Sequence, residues 1–250
     1  MTTNRDLEGR VALVTGGARN IGRAIVLALA EAGAAVIVNA RSSGPEAEAV
    51  AAEVEAGGGK AMAYLSDVTD EAGVTAMVAA AVKRFGRLDI LVNNAAVRDV
   101  TKIDDIDLAT WRYVTGIILD GAFICTKACL PAIRQAGGGT IINIGGMSGH
   151  TGAAGRPHVV AAKLGLVGLS RALAHDLAPD NITVNTVVPG LIETAVEGSS
   201  GTGTVHKRTT LLGRRGRPEE VASVVRFLCG PEGRYVTGQE WHVNGGAYLG

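Results

Sequence analysis

Short β-branched runs alternate with longer alanine-rich stretches along this chain, and that alternation constrains its fold more than any other feature. The runs are Val11 to Thr15, Ala35 to Asn39, Ala61 to Leu65, Ile90 to Asn93, Thr140 to Ile144 and Thr183 to Val188. Helix-like segments fall between or beside them at Ile21 to Ala32, Ala47 to Ala56, Val74 to Phe85, Ala109 to Ala136 and Val160 to Leu177. Runs joined by helical crossovers imply parallel strands, and their uninterrupted apolar character implies a sheet covered on both faces. The expected fold class is α/β, a single doubly wound (Rossmann-type) parallel sheet with helices on both faces. No proline or serine tract offers a linker, so residues 1–250 are read as one domain. Ligands of such sheets bind beyond the carboxyl ends of the strands, where the strand order reverses. The residues just after each strand are therefore the ones to examine.

Charge narrows the partners. Lysine plus arginine number 24, as do aspartate plus glutamate, which leaves no net field to draw in nucleic acid or an anionic membrane. A small-molecule substrate is expected, with no nucleic-acid and no membrane partner. Met1 to Asp6 carry no leader-like apolar region, and no stretch reads as long and apolar enough to cross a bilayer, so the expected location is cytoplasmic. Cys125, Cys129 and Cys229 are few and odd in number, the first two one helical turn apart among apolar residues. They read as buried structural thiols, and no metal is expected.

After the first run comes Thr15-Gly16-Gly17-Ala18-Arg19-Asn20-Ile21-Gly22, opening into a helical segment. Small residues let the backbone approach a pyrophosphate, whose charge is met by free amides and the positive end of the helix dipole. A glycine-rich turn alone is a weak signal among 35 glycines; its place between a buried strand and an amphipathic helix makes it a dinucleotide-binding turn. After the second run, an Asp or Glu would accept from both adenosine ribose hydroxyls and favour NAD(H). Here Ala40 is followed by Arg41, and Arg19 lies in the turn. Two guanidiniums suit a 2′-phosphate, so NADP(H) is favoured over NAD(H), with solvated side chains as the alternative.

Together with Asp67-Val68, Asn93-Asn94-Ala95-Ala96, Lys163 on its alanine-rich helix, Pro189-Gly190-Leu191-Ile192-Glu193-Thr194 and Thr237 to Gly246, the turn resembles the short-chain dehydrogenase/reductase family, in its 3-oxoacyl-ACP reductase-like branch. The similarity spans essentially the whole chain. It implies that Gly16, Arg19, Asn20, Ile21 and Gly22 hold the pyrophosphate end of the cofactor and that Arg41, Asp67 and Val68 border the adenosine. Asn93 and Ala95 would line the cleft, Pro189, Gly190, Ile192 and Thr194 would meet the nicotinamide end, and Lys163 would bond its ribose. It also implies a homotetramer.

The same resemblance exposes departures. Family members use Asn, Ser, Tyr and Lys; alignment puts Ile118 at the asparagine, Gly146 at the serine and Val159 at the tyrosine, leaving only Lys163. An isopropyl group can neither give nor take a proton. Asn20 and Ala96 replace two family glycines, and asparagine tolerates unusual backbone angles.

Replacement chemistry is sought between Met147 and His158. His150 and His158 are natural acids or bases near neutral pH, Ser148 could hold a substrate oxygen if its loop is rebuilt, and Arg156 could clamp a carboxylate or an oxyanion. His158 adjoins the vacated position, but one step along a helix turns a side chain by about 100° away from the lysine row. For His150, His158 and Ser148 a surface or loop-bracing role is the favoured alternative. The segment Ala195 to Thr210, with His206, Lys207 and Arg208, sits where the family carries its substrate lid.

A positioned general acid contributes about 10² to 10⁴ in rate, so its loss selects undemanding substrates. The leading expectation is an NADP(H)-dependent reductase or dehydrogenase with a non-standard site, acting on an activated carbonyl, enone, imine or 3-oxoacyl-like substrate. The alternatives are a redox-inactive cofactor-binding regulatory or partner subunit, and a non-redox lyase or isomerase on the same fold.

Overall fold

The computed structural model describes residues 5–194 and 210–250. Strands β1 (Val11–Val14), β2 (Ala35–Ala40), β3 (Lys60–Leu65), β4 (Ile90–Asn93), β5 (Gly139–Ile144), β6 (Ile182–Pro189) and β7 (Glu240–Val243) form one sheet ordered β3-β2-β1-β4-β5-β6-β7. Every pairing is parallel. The chain runs outward from β1 to β3, returns to the middle at β4, and runs outward again. The doubly wound class read from the sequence is the observed one, and its reversal falls between β1 and β4.

The helices are α1 (Asn20–Glu31), α2 (Gly44–Ala56), α3 (Glu71–Phe85), α4 (Leu108–Thr115), α5 (Gly121–Gln135), a single turn α6 (Ser148–Thr151), α7 (Pro157–Leu177) and α8 (Pro218–Cys229). Successive strand residues point to opposite faces, so Ala12 and Val14 join a core beneath α1, α2 and α8, whereas Val11 and Leu13 join one beneath α3, α5 and α7. Cys125, Cys129 and Cys229 are free and buried; burial pushes the Cys125 and Cys229 thiols up to about 12.

Three of these elements, the single turn α6, β7 and α8, lie outside the six runs and five helical segments read from the sequence. β7 reads Glu-Trp-His-Val, an alternation that covers a half-exposed edge instead of a buried run. α8 begins at Pro218, with Glu219 and Glu220 in its first turn where the dipole favours acids.

One expectation is corrected. α4 and α5 run on through a π-turn at Gly116–Asp120, so Leu108–Gln135 is a 28-residue helix long and apolar enough by length and composition to cross a membrane. The sequence already reads Ala109 to Ala136 as helical, but Asp120 and Lys127 interrupt its apolar run, so no unbroken apolar stretch of spanning length is seen there. In the fold, Ile117, Ile118, Cys125, Cys129 and Ile133 are buried against the protein's own core. The reading of Ala195 to Thr210 as a lid, with His206, Lys207 and Arg208, lies outside the described residues except for Thr210.

Candidate active site

At the reversal point a cleft of about 280 Å³ opens, lined by Gly16, Ala18, Arg19, Asn39 to Ser43, Ser66 to Val68, Ala95 to Val97 and Ile117. The glycine turn forms its floor. Gly16 is at φ +61, and a Cβ there would lie 3.1 Å from Ala95 Cα. Gly22 is closer still, its absent Cβ falling 2.1 Å from Gly16 O, so a methyl group cannot be accommodated without breaking the turn. Asn20 sits at φ +50, a left-handed conformation that asparagine tolerates better than other side chains. Asn94 Nδ2 donates to Thr15 O and Gly16 O at 2.9 and 3.0 Å, and Thr15 Oγ1 accepts from the amides of Asn94 and Ala95. The turn is thus pinned to the end of β4 across the sheet.

Of the predicted cofactor residues, the cleft brings together Gly16, Arg19, Arg41, Asp67, Val68 and Ala95. Asn20, Ile21 and Gly22 shape the turn and start α1. Arg19 is ion-paired with Glu46, while Arg41 donates to Tyr113 Oη at 2.9 Å and lies 4.0 Å from Asp67. Both guanidiniums remain about half exposed.

Asn93 departs from its expected place. Its side chain turns inward and donates to Asn143 Oδ1 at 2.8 Å, so it braces β4 against β5 and does not face the cleft. Asn143 in turn donates to Ser170 Oγ, which also accepts from Thr186 Oγ1, both at 2.8 Å. This buried chain of Asn93, Asn143, Ser170 and Thr186 ties three strands to α7, and nothing in the spacing of these residues announced it. Beyond β6, Pro189 O accepts from Met147 N, Gly190 N donates to Val243 O, Ile192 pairs with Gly216 and Thr194 Oγ1 accepts from Arg98 Nη2 at 2.9 Å.

Lys163 reaches from α7 to the end of β5, where Nζ donates to Ile144 O at 2.6 Å. Burial pushes its ammonium down to about 8. One N–H is used, leaving two for a ligand. Gly146 lies beside it: the atoms nearest to a Cβ there would be Lys163 Cγ at 3.7 Å, Lys163 Cδ at 3.9 Å and Ser148 Oγ at 3.9 Å. Ser148, first in α6, therefore already brings a hydroxyl next to the expected serine position. Ile118 and Val159 meet in one apolar cluster with Val114, Ala122, Ala162 and Leu166. The π-turn carries Ile118, and such turns recur at functional sites.

The two histidines are corrections. His150 Nε2 lies 3.1 Å from Glu240 Oε2, and its ring packs on His242 and Tyr248. That places it against edge strand β7, two strands from the β5 end that Lys163 reaches, so it is not available to a substrate there. His150, Glu240 and His242 gather their possible ligand atoms within 4.8 Å, but Arg171 Nη2, 2.5 Å from Glu240 Oε1, already answers the carboxylate's charge. His158 is fully buried with Nε2 2.6 Å from Asp99 Oδ2. Helical rotation carries it away from the lysine row as expected, and its partner fixes it as a brace between the β4 loop and α7. Arg156 is half-buried at the start of α7. Arg98 is a site residue that the sequence did not single out, although it follows Asn93 to Val97 directly.

None of the four tyrosines replaces Val159. Tyr64 lies on β3, Tyr113 holds Arg41, Tyr235 is exposed and Tyr248 stacks on the β7 histidines.

A parallel doubly wound sheet with a glycine turn at its reversal and a lysine at the next strand end defines a dinucleotide-fold oxidoreductase architecture. Residues 16–248 match the family model described as enoyl-(acyl carrier protein) reductase. A 3-oxoacyl-[acyl-carrier-protein] reductase of Synechocystis sp. is 39% identical, covering 97% of this chain and 98% of its own. A dehydrogenase/reductase structure from Sinorhizobium meliloti superposes with a TM-score of 0.93 at 33% identity, covering 99% and 98%. A short-chain dehydrogenase from Burkholderia cenocepacia in complex with NADP gives 0.91 at 35% identity, covering 97% and 99%. The chain belongs to the short-chain dehydrogenase/reductase family, and its relatives are enzymes.

Proposed function

We propose that this protein is an NADP(H)-dependent reductase or dehydrogenase acting on an activated carbonyl, enone, imine or 3-oxoacyl-like compound, with Lys163 in place of the usual tyrosine as proton carrier. The observation that carries this reading is Lys163 held at the end of β5, one helical turn after apolar Val159, where desolvation brings its ammonium to about 8. A general acid works best with a pKa near the operating pH, and a lysine so placed meets that condition without a tyrosine.

The cleft fits the cofactor. A turn that would be blocked by a Cβ at Gly22 leaves backbone amides free for a pyrophosphate at the start of α1, and Arg19 and Arg41 offer donors to a 2′-phosphate. The complex of the Burkholderia relative with NADP supports the same choice. When bound, NADPH supplies a hydride to an electrophilic carbon. The chain's own part is to hold the substrate oxygen with Ser148 Oγ and to pass it a proton from Lys163 Nζ, which solvent then restores. Asp67 and Val68 border the adenosine, and Ile192 and Thr194 the nicotinamide.

We further propose that the 250 residues act as one domain within a homotetramer. Leu108, Tyr113, Phe123 and Leu164 are exposed on the outer faces of α4, α5 and α7, which supports burial against a second copy.

Fluorescence titration with NADPH and NADH, followed by NADPH consumption with quinones, enones and acetoacetyl thioesters, tests the reading. Tight NADPH binding with turnover lost in Lys163→Met supports it. Binding without turnover on any substrate would favour a redox-inactive partner subunit or a non-redox enzyme.

A further inference from the structure

Most arginines in this chain face an acid: Arg10 and Arg87 share Asp89, Arg23 meets Glu53, Arg134 meets Asp180 and Arg214 meets Glu220. Arg98, Arg156 and Arg215 have no carboxylate within 4 Å among the described residues, although separate parts of the fold bring them to one place. Arg98 follows Val97 at the cleft edge and donates to Thr194 Oγ1 at 2.9 Å. Its loop is joined to the start of α7 by Thr101 N donating to Gly155 O at 2.7 Å, and Arg156 is the next residue. Arg215 precedes Gly216, which pairs with Ile192 and accepts from Glu193 N at 2.8 Å, two residues and one residue before Thr194.

Arg98 after β4, Arg156 at the start of α7 and Arg215 on the segment that leads into α8 and pairs beside the end of β6 thus gather near Thr194. Burial first, then the nearby charges of Arg156 and Arg215, hold the Arg98 guanidinium below its ordinary range. Like charges gathered without an acid repel one another, and an anion placed among them relieves that repulsion. The planar guanidinium fork matches a carboxylate in two parallel hydrogen bonds.

We propose that Arg98, Arg156 and Arg215 form a carboxylate-binding subsite, so that the substrate is a small carbonyl compound bearing a carboxylate. This rests on the reading of Lys163 and the glycine cleft as the reacting end of the site. The subsite would orient the substrate and help hold negative charge that develops on its oxygen where no tyrosine stands.

The test is calorimetric titration of the full-length protein at constant ionic strength with malonate, dimethyl malonate and inorganic phosphate, with and without NADP⁺. Malonate is expected to bind and its neutral diester not to. Arg98→Gln and Arg156→Gln should each weaken malonate about 10- to 100-fold, the range for a charge-assisted pair, and Arg98→Lys should weaken it less because it keeps the charge. Malonate no tighter than chloride, phosphate tighter than malonate, or unchanged affinity in both glutamine variants would overturn the proposal. NADPH titration of the wild type reads the cofactor site separately. Wild-type protein that binds NADPH but not malonate sinks the subsite alone, whereas malonate without NADPH sinks the cofactor reading.

Discussion

Replacing Lys163 by methionine removes an ammonium that the fold holds out of water while keeping an unbranched side chain of similar length. In the folded protein this lysine titrates near 8, against 10.5 when unfolded. Below pH 8 it is protonated in both states and the fold bears the cost of burying the charge. Between about 8 and 10.5 the unfolded chain binds more protons, so stability must rise with pH across that window. At ~1.4 kcal/mol for each tenfold difference in proton affinity, the full rise is about 3 kcal/mol, most of it gained by pH 10. For a chain of this size that corresponds to roughly 6–12 °C in melting temperature. Thermal melts of the cofactor-free wild type and Lys163→Met from pH 7 to pH 10 check this, because subtracting the variant cancels every other titrating group. The wild type should gain on the variant as pH rises. A difference that stays flat, or that falls, would refute the claim that Lys163 is desolvated, and with it the argument that it can serve as an acid.

Three further outcomes follow from the same geometry. Gly22→Ala places a methyl carbon 2.1 Å from Gly16 O and should abolish measurable NADPH binding, with stability lowered by about 1–3 kcal/mol of overpacking strain. Gly146→Ser, whose Cβ meets nothing nearer than 3.7 Å, should fold as the wild type does; combined with Val159→Tyr it should raise turnover of an acetoacetyl thioester by about 10² or more, read as NADPH consumption. Arg41→Ala should weaken NADPH about tenfold or more and NADH little in parallel titrations, since only the former carries the phosphate.

The sheet was legible because Val11 to Val14, Ile90 to Asn93 and their neighbours are apolar on both faces, and that pattern belongs to strands covered twice over. β7 was not, since a half-covered edge writes Glu, Trp, His and Val in alternation. The glycine turn was readable because steric demands at Gly16 and Gly22 leave no other residue. The site beyond it was less so. His150 and His158 carry the right chemistry for an acid, but which way each faces depends on Glu240 and Asp99, 90 and 59 residues away in sequence. Arg156 reads as a candidate carboxylate clamp, but Arg98 and Arg215 look like scattered surface charges until the crossovers bring the three loops together.

The buried chain of Asn93, Asn143, Ser170 and Thr186 fixes the rotational phase of α7. Hydrogen bonds are directional, so the helix cannot turn by one residue, about 100°, without costing Asn143 Nδ2 and Thr186 Oγ1 their Ser170 acceptor in the core. Lys163 is indexed to the β5 end by that lock, seven residues before Ser170, and owes nothing to what stands at 159. Side chains at the mouth can therefore be exchanged one at a time while the frame keeps register, whereas a single inserted or deleted residue between 163 and 170 would either displace the ammonium or unpair the core. Diversification at this site runs through substitution, with the backbone length of α7 held constant.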